Sequence, residues 1–161
     1  PNLELIPLAP EVPLEWEIVC GRHEPPVQGW VADQGENLPA PCLILRTRVA
    51  LPLRLALALV PYTVGVSAGI TVRLLTASAG ALAVELRHGD GASDAVGLRW
   101  QGDSELAFAE YRTDGWLAVV RRDSSGQVTA VAAAGARYLA RGDQELARAP
   151  APVDLLEVRL P

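Results

Sequence analysis

Residues 116–140 read WLAVVRRDSSGQVTAVAAAGARYLA, and how this stretch is read decides the fold. Trp116 to Arg122 and Gln127 to Ala134 are two apolar runs of strand length. Between them stands Ser124-Ser125-Gly126, which is turn chemistry: serine bonds its own backbone, and glycine takes up a positive φ without steric cost. Short apolar runs bounded by such residues are the signature of strands. The competing reading is a helix over Val131 to Leu139, where alanines, the strongest helix formers, are dense. Gly135 in the middle and hairpin chemistry on both sides decide for strands.

The same pattern continues outward in both directions. Towards the C-terminus, Arg141-Gly142-Asp143 turns Ala136–Ala140 into Gln144–Ala149, and Leu155 to Leu160 is the last strand. Towards the N-terminus, Thr113-Asp114-Gly115 separates Glu105–Arg112 from Trp116–Arg122, and Asp-Gly predicts a hairpin between them. Ile70–Thr76 pairs with Ala81–Arg87 across the small residues Ala77 to Gly80. The loop His88 to Ser93 then leads to Asp94–Gln101. Earlier strands are Trp16–Gly21, Pro41–Val49 and Ala50–Tyr62, with the polar, Pro-rich stretch Arg22–Pro26 after the first. Leu51, Leu53, Leu55, Leu57 and Leu59 share one face, and Pro52 sets the start of that strand at an edge or a bulge. No repeat of fixed period and no long helical interval interrupts the series. The expectation is an all-β fold, an antiparallel β-sandwich of jelly-roll-like type with about 10–12 strands, forming a single domain over residues 1–161.

Half of the residues are hydrophobic and 20% are charged, which suits a folded, soluble chain. The formal net charge is −5, and all 14 basic residues are arginine. An acidic balance argues against nucleic acid, because neutralising phosphates needs a basic face. The longest apolar run, Val49 to Tyr62, is broken by Pro52, Arg54 and Pro61 and is too short for a bilayer, so no membrane partner is expected. Pro1 opens the sequence without a signal-peptide pattern, and the chain is expected to be a piece of a longer protein of unassigned compartment. Cys20 and Cys42 lack metal-binding spacing. They read as two small buried apolar residues, with one bridge between neighbouring strands as the alternative.

Few residues carry chemistry. His23 and His88 stand in polar loops, and with Asp90 or Asp94 they are the one available imidazole–carboxylate set for a metal, although no motif links them. The segment Arg87 to Asp94 gathers polar groups and glycines. It reads as a flexible turn in which aspartate caps its own backbone, with a cation or sugar-hydroxyl site as the functional alternative. Of the tryptophans, Trp16, Trp100 and Trp116 lie in strands and are expected to pack in or against the core. Trp30 stands in a loop before Asp33 and is the aromatic expected to meet a ligand or partner. The candidate contact residues are therefore Trp30, Asp33, His88 and Asp90, with no catalytic residue, metal or cofactor assigned. No GxSxG elbow, HExxH or phosphate-cradling glycine loop occurs.

One stretch also carries a resemblance. Gln28-Gly29-Trp30-Val31-Ala32-Asp33-Gln34-Gly35 is followed by Leu38-Pro39-Ala40-Pro41, by a strand, and by the Pro-bounded run Leu51 to Pro61. This order, across about Trp16 to Tyr62, resembles the C-terminal part of heparinase II/III-like proteins, a family that includes alginate and oligoalginate lyases. The resemblance implies a parent with an N-terminal (α/α) toroid, a central antiparallel β-sheet layer and a C-terminal β-sandwich. Such proteins cleave uronate-containing polysaccharides by β-elimination, with tyrosine and histidine from the toroid and histidine from the sheet layer; some bind zinc there. None of these motifs falls on this sequence. The chain is thus expected to be the non-catalytic sandwich of such a protein, partnered by the missing toroid and sheet domains and by an acidic polysaccharide. An autonomous carbohydrate-binding module is the alternative.

Overall fold

The computed structural model describes residues 2–8, 13–51, 53, 55–63, 69–78, 80–101 and 105–160. Among them there is no helix, and sixteen strands form open antiparallel sheets. They are β1 (Asn2–Pro7), β2 (Glu15–Val19), β3 (Trp30–Asp33), β4 (Glu36–Pro39), β5 (Cys42–Arg46), β6 (Leu57–Tyr62), β7 (Thr71–Ala77) and β8 (Ala81–Arg87). The second half contributes β9 (Ser93–Arg99), β10 (Leu106–Phe108), β11 (Tyr111–Thr113), β12 (Leu117–Arg122), β13 (Val128–Ala134), β14 (Ala136–Arg141), β15 (Gln144–Val153) and β16 (Leu156–Arg159). The chain divides into two compact units: Pro1–Ala9 with Leu55–Pro161, and Pro10–Arg54.

The larger unit is a β-sandwich. One sheet has the order β16-β13-β12-β9-β8-β7, and the facing sheet the order β10-β11-β14-β15. Strand side chains alternate between faces. Ala83, Ala95, Ala118, Val120, Val131 and Ala133 therefore meet Leu106, Phe108, Tyr111, Ala136 and Leu139 of the smaller sheet in one buried cluster. Small residues on the wide sheet make room for large ones opposite. Gly97 is the extreme case, since a Cβ there would lie 2.5 Å from the Phe108 ring. Leu82 and Val84 point the other way and pack with Leu8, Ala56 and Ala58, so the β1–β6 ribbon covers that end of the outer face.

The chain reaches this arrangement by crossing between sheets in hairpin-sized steps. β10–β11 is inserted between β9 and β12, and β14–β15 between β13 and β16. The hairpin expected at Asp114-Gly115 is therefore not formed. β11 pairs with β10 and β14, whereas β12 pairs with β9 and β13. Asp114 instead fixes the crossover, because its Oδ1 accepts the amides of Arg137 and Tyr138 at 2.8 and 3.2 Å. Thr113 assists by donating its hydroxyl to the Tyr138 carbonyl at 2.6 Å and accepting from the Gly115 amide.

The hairpins at Ser124–Gly126, Arg141–Asp143 and between β7 and β8 form as expected, and Val131 to Leu139 is strand on both sides of Gly135. The strand count exceeds 10–12 for two reasons. Glu105–Arg112 is folded into β10 and β11 by Ala109 and Glu110, both at positive φ, and β1, β3 and β4 are short pairs without strong alternation. Among the described residues of the long run Ala50–Tyr62, those in strand are Leu57–Tyr62, and the expected break at Pro52 lies outside the described residues.

The smaller unit holds two ladders, β2 with β5 and β3 with β4. Cys42 faces Val19 rather than Cys20, which lies one residue beyond the end of the ladder. Both are free, and Cys20 is exposed, contrary to the expected burial.

Candidate functional site

Among the described residues, polar side chains converge on a cleft where the β8–β9 loop meets the end of β12. The loop is built by local bonds. The His88 amide bonds the Ala92 carbonyl at 2.9 Å, Gly91 donates back to the His88 carbonyl, and Asp90 Oδ1 accepts the Ala92 amide at 2.9 Å. This is an aspartate capping its own turn. β9 follows with Asp94, which pairs in register with Arg121 of β12. Arg121 holds Asp94 in a two-pronged grip, Nε to Oδ1 at 2.8 Å and Nη2 to Oδ2 at 3.3 Å. His88 Nε2 donates to the same Oδ2 at 2.9 Å. Together with Ala92, Ser93 and Arg122 these residues line an open cleft of about 200 Å³.

The carboxylate of Asp94 is buried, with 8% of the residue exposed. Burial alone raises its pKa by penalising the charge. The hydrogen bonds from Arg121 and His88 outweigh that cost, and the group titrates below the ordinary aspartate range. The Arg121 guanidinium is raised by the same bond. An ionised Asp94 requires the proton on the His88 nitrogen that faces it, which leaves Nδ1 as the free position of the ring.

The chemistry of this arrangement follows from how its oxygens are used. Asp94 spends both on Arg121 and His88, and Asp90 commits one to its own loop. Among the described residues no three His, Cys, Asp or Glu side chains converge as metal ligands. The two histidines belong to different units. His88 binds Asp94, whereas His23, in the smaller unit, meets Trp30 at a tilt of 57° with ring centroids 4.6 Å apart. The cleft thus holds an oriented imidazole beside a neutralised carboxylate. That constellation is suited to hydrogen bonding and to locking the β9–β12 pair.

Of the expected contact residues, His88 and Asp90 share this cleft, and Trp30 and Asp33 belong to the smaller unit. Trp30 opens β3 rather than standing in a loop. Its indole N–H donates to the Arg22 carbonyl at 3.0 Å, and one side of its ring system is taken by His23. Nearby, Glu17 receives Arg46 at 2.6 Å and also Arg22, and these two bonds lower its pKa. Trp30 is half-buried and packs within the small unit's turn. Asp33 closes the β3–β4 hairpin and is exposed. Arg121 is the residue that sequence reading missed. Its partner Asp94 is separated from it by the whole β10–β11 excursion, so no local pattern announces the pair.

Trp16, Trp100 and Trp116, expected in or against the core, lie outside it and keep 44%, 38% and 54% of their surface exposed. The chain matches no protein-family model and none of the curated proteins.

Proposed function

We propose that this chain is a non-catalytic accessory β-module of a larger heparinase II/III-like, polysaccharide-lyase-like protein, and that its smaller unit seats it against the catalytic domains. The observation that carries the reading is one face of the β2–β5 ladder. Trp16 stands opposite Leu45 and Ile18 opposite Leu43, so four apolar side chains share a single side. Ile18 is 72% exposed and Trp16 44%. On the neighbouring β3–β4 ladder, Val31 and Leu38 form a second exposed apolar pair. Contiguous apolar surface of this kind marks a face that another protein surface covers. The missing toroid and sheet domains are the proposed cover, and the module serves to stabilise them.

The test is made in the full-length protein. Removing the module, or placing Ile18→Asp on its face, lowers the yield and thermal stability of the parent while turnover per folded molecule holds. A truncated parent that folds normally and loses only affinity for its polymer overturns the reading.

A further inference from the structure

At the corner where the chain crosses from β11 to β12, Trp116 is 54% exposed, yet its backbone is clamped on both sides. Its amide donates to the Ala134 carbonyl at 3.1 Å, and its carbonyl accepts the Arg99 amide at 2.8 Å. The pyrrole edge of the indole rests on Gly135, where a Cβ would lie 2.5 Å from Cδ1 and 2.8 Å from Nε1. Gly135 also sits at φ +63°, so two independent constraints reserve the position for glycine. The result is a flat aromatic ring, seated on rigid backbone and open to water.

A second feature lies two residues further along each segment. Asp114 and Arg137 form an ion pair, Nε to Oδ2 at 2.8 Å. Asp114 lies two residues before Trp116 at the bend, and Arg137 two residues after the Gly135 that carries the ring, so the ion pair is a close chain neighbour of the indole on both segments. Arg137 retains its terminal N–H groups as donors, and Asp114 Oδ2 retains a lone pair as acceptor. A vicinal diol offers the complementary acceptor and donor.

We propose that Trp116, with Arg137 and Asp114, is a binding site for a neutral pyranose sugar. The indole face carries negative π density and attracts the polarised C–H groups on the flat face of a pyranose. The ion pair then fixes its hydroxyls. Charge selects the class of sugar: the guanidinium is already neutralised by Asp114, and a chain of net charge −5 repels a polyanion. A nucleotide is disfavoured by its phosphate for the same reason. One ring beside an ion pair is also too small an apolar area for a stable protein interface, which needs about 1,000 Å². This site is in the larger unit and does not depend on the docking role of the smaller one.

The experiment titrates the intact chain with neutral gluco-, xylo- and manno-hexaoses and with an oligomannuronate, followed by calorimetry and tryptophan fluorescence. At least one neutral hexaose binds saturably. Trp116→Ala weakens it by about tenfold or more, and Arg137→Met by several-fold, while Tm holds. Trp16→Ala and Trp30→Phe bind as the parent does. If Trp116→Ala does not fold, Trp116→Leu replaces it, keeping the contact with Gly135 but removing the flat ring, and the same loss is expected. The proposal is overturned if no neutral hexaose saturates by about 10 mM, if binding survives loss of the ring, or if the oligomannuronate binds more tightly.

Discussion

The two units of this chain solve the problem of burying apolar strands in opposite ways. In the sandwich, alternation is backed by a second sheet, and Val120, Val131, Leu139 and Ala136 are fully enclosed. In the smaller unit, Val19 is the one hydrophobic side chain among the described residues that is buried, while Trp16, Ile18, Val31 and Leu38 face outward. Both have β-forming sequences and regular ladders. The difference is whether a complementary face lies within the chain, because a two-stranded ladder has nothing to bury its apolar side against. Stability should therefore be concentrated in the larger unit, and docking against another protein surface in the smaller.

The largest effect that would break this contrast is a cavity in the sandwich. Phe108 fills the space left by Gly97, and Phe108→Ala should cost about 3–5 kcal/mol in chemical denaturation. A loss below about 1 kcal/mol would mean that the two sheets do not share one core. The next effect concerns the crossover. Asp114→Ala removes the acceptor for two backbone amides and one guanidinium, and should cost about 1–3 kcal/mol.

Acid provides a finer probe of the same unit. Burial opposes ionisation of Asp94 and Asp114, but arginine and amide hydrogen bonds prevail, so both titrate below their ordinary value when folded. A depressed folded pKa contributes stability that is fully present above the unfolded value. It is lost as pH falls through the folded one. Stability should hold down to about pH 4 and decline below it, and Asp94→Asn should flatten that decline while lowering the plateau at neutral pH. An unchanged acid limb in Asp94→Asn would show that the Arg121–Asp94–His88 cluster does not report on folding.

Legibility in the sequence followed range. Turns that close neighbouring strands, Ser124–Gly126 and Arg141–Asp143, were readable because their chemistry is local. The antiparallel sandwich followed from strand-length runs alone. Asp114-Gly115 misled because the same two residues serve a sheet-to-sheet crossover, and only the distant amides of Arg137 and Tyr138 distinguish the two uses. The tryptophans misled because apolar character predicts burial only where a facing layer exists. The Asp94 half of the cleft was visible, whereas Arg121 was not, since the pairing of β9 with β12 spans an excursion that no pattern encodes.

The smallest effect is also the one that separates the units most directly. Ile18→Ser removes apolar surface that is already in water, so unfolding of the isolated chain should change by no more than about 0.5 kcal/mol. The same change should shorten retention on a hydrophobic column and reduce self-association, because the exposed face and not the core is altered. Thiol labelling gives an independent check of the ladder that displays this face. With Cys42 opposite Val19, Cys20 should react in the native protein without reductant, and neither cysteine should protect the other. If Cys20 resists labelling until reduced, the β2–β5 register is wrong by one residue. A slip of one residue sends every side chain of a strand to the other face. Trp16 and Ile18 would then turn inward, and the contrast between a stabilising sandwich and a presenting ladder would fail with them.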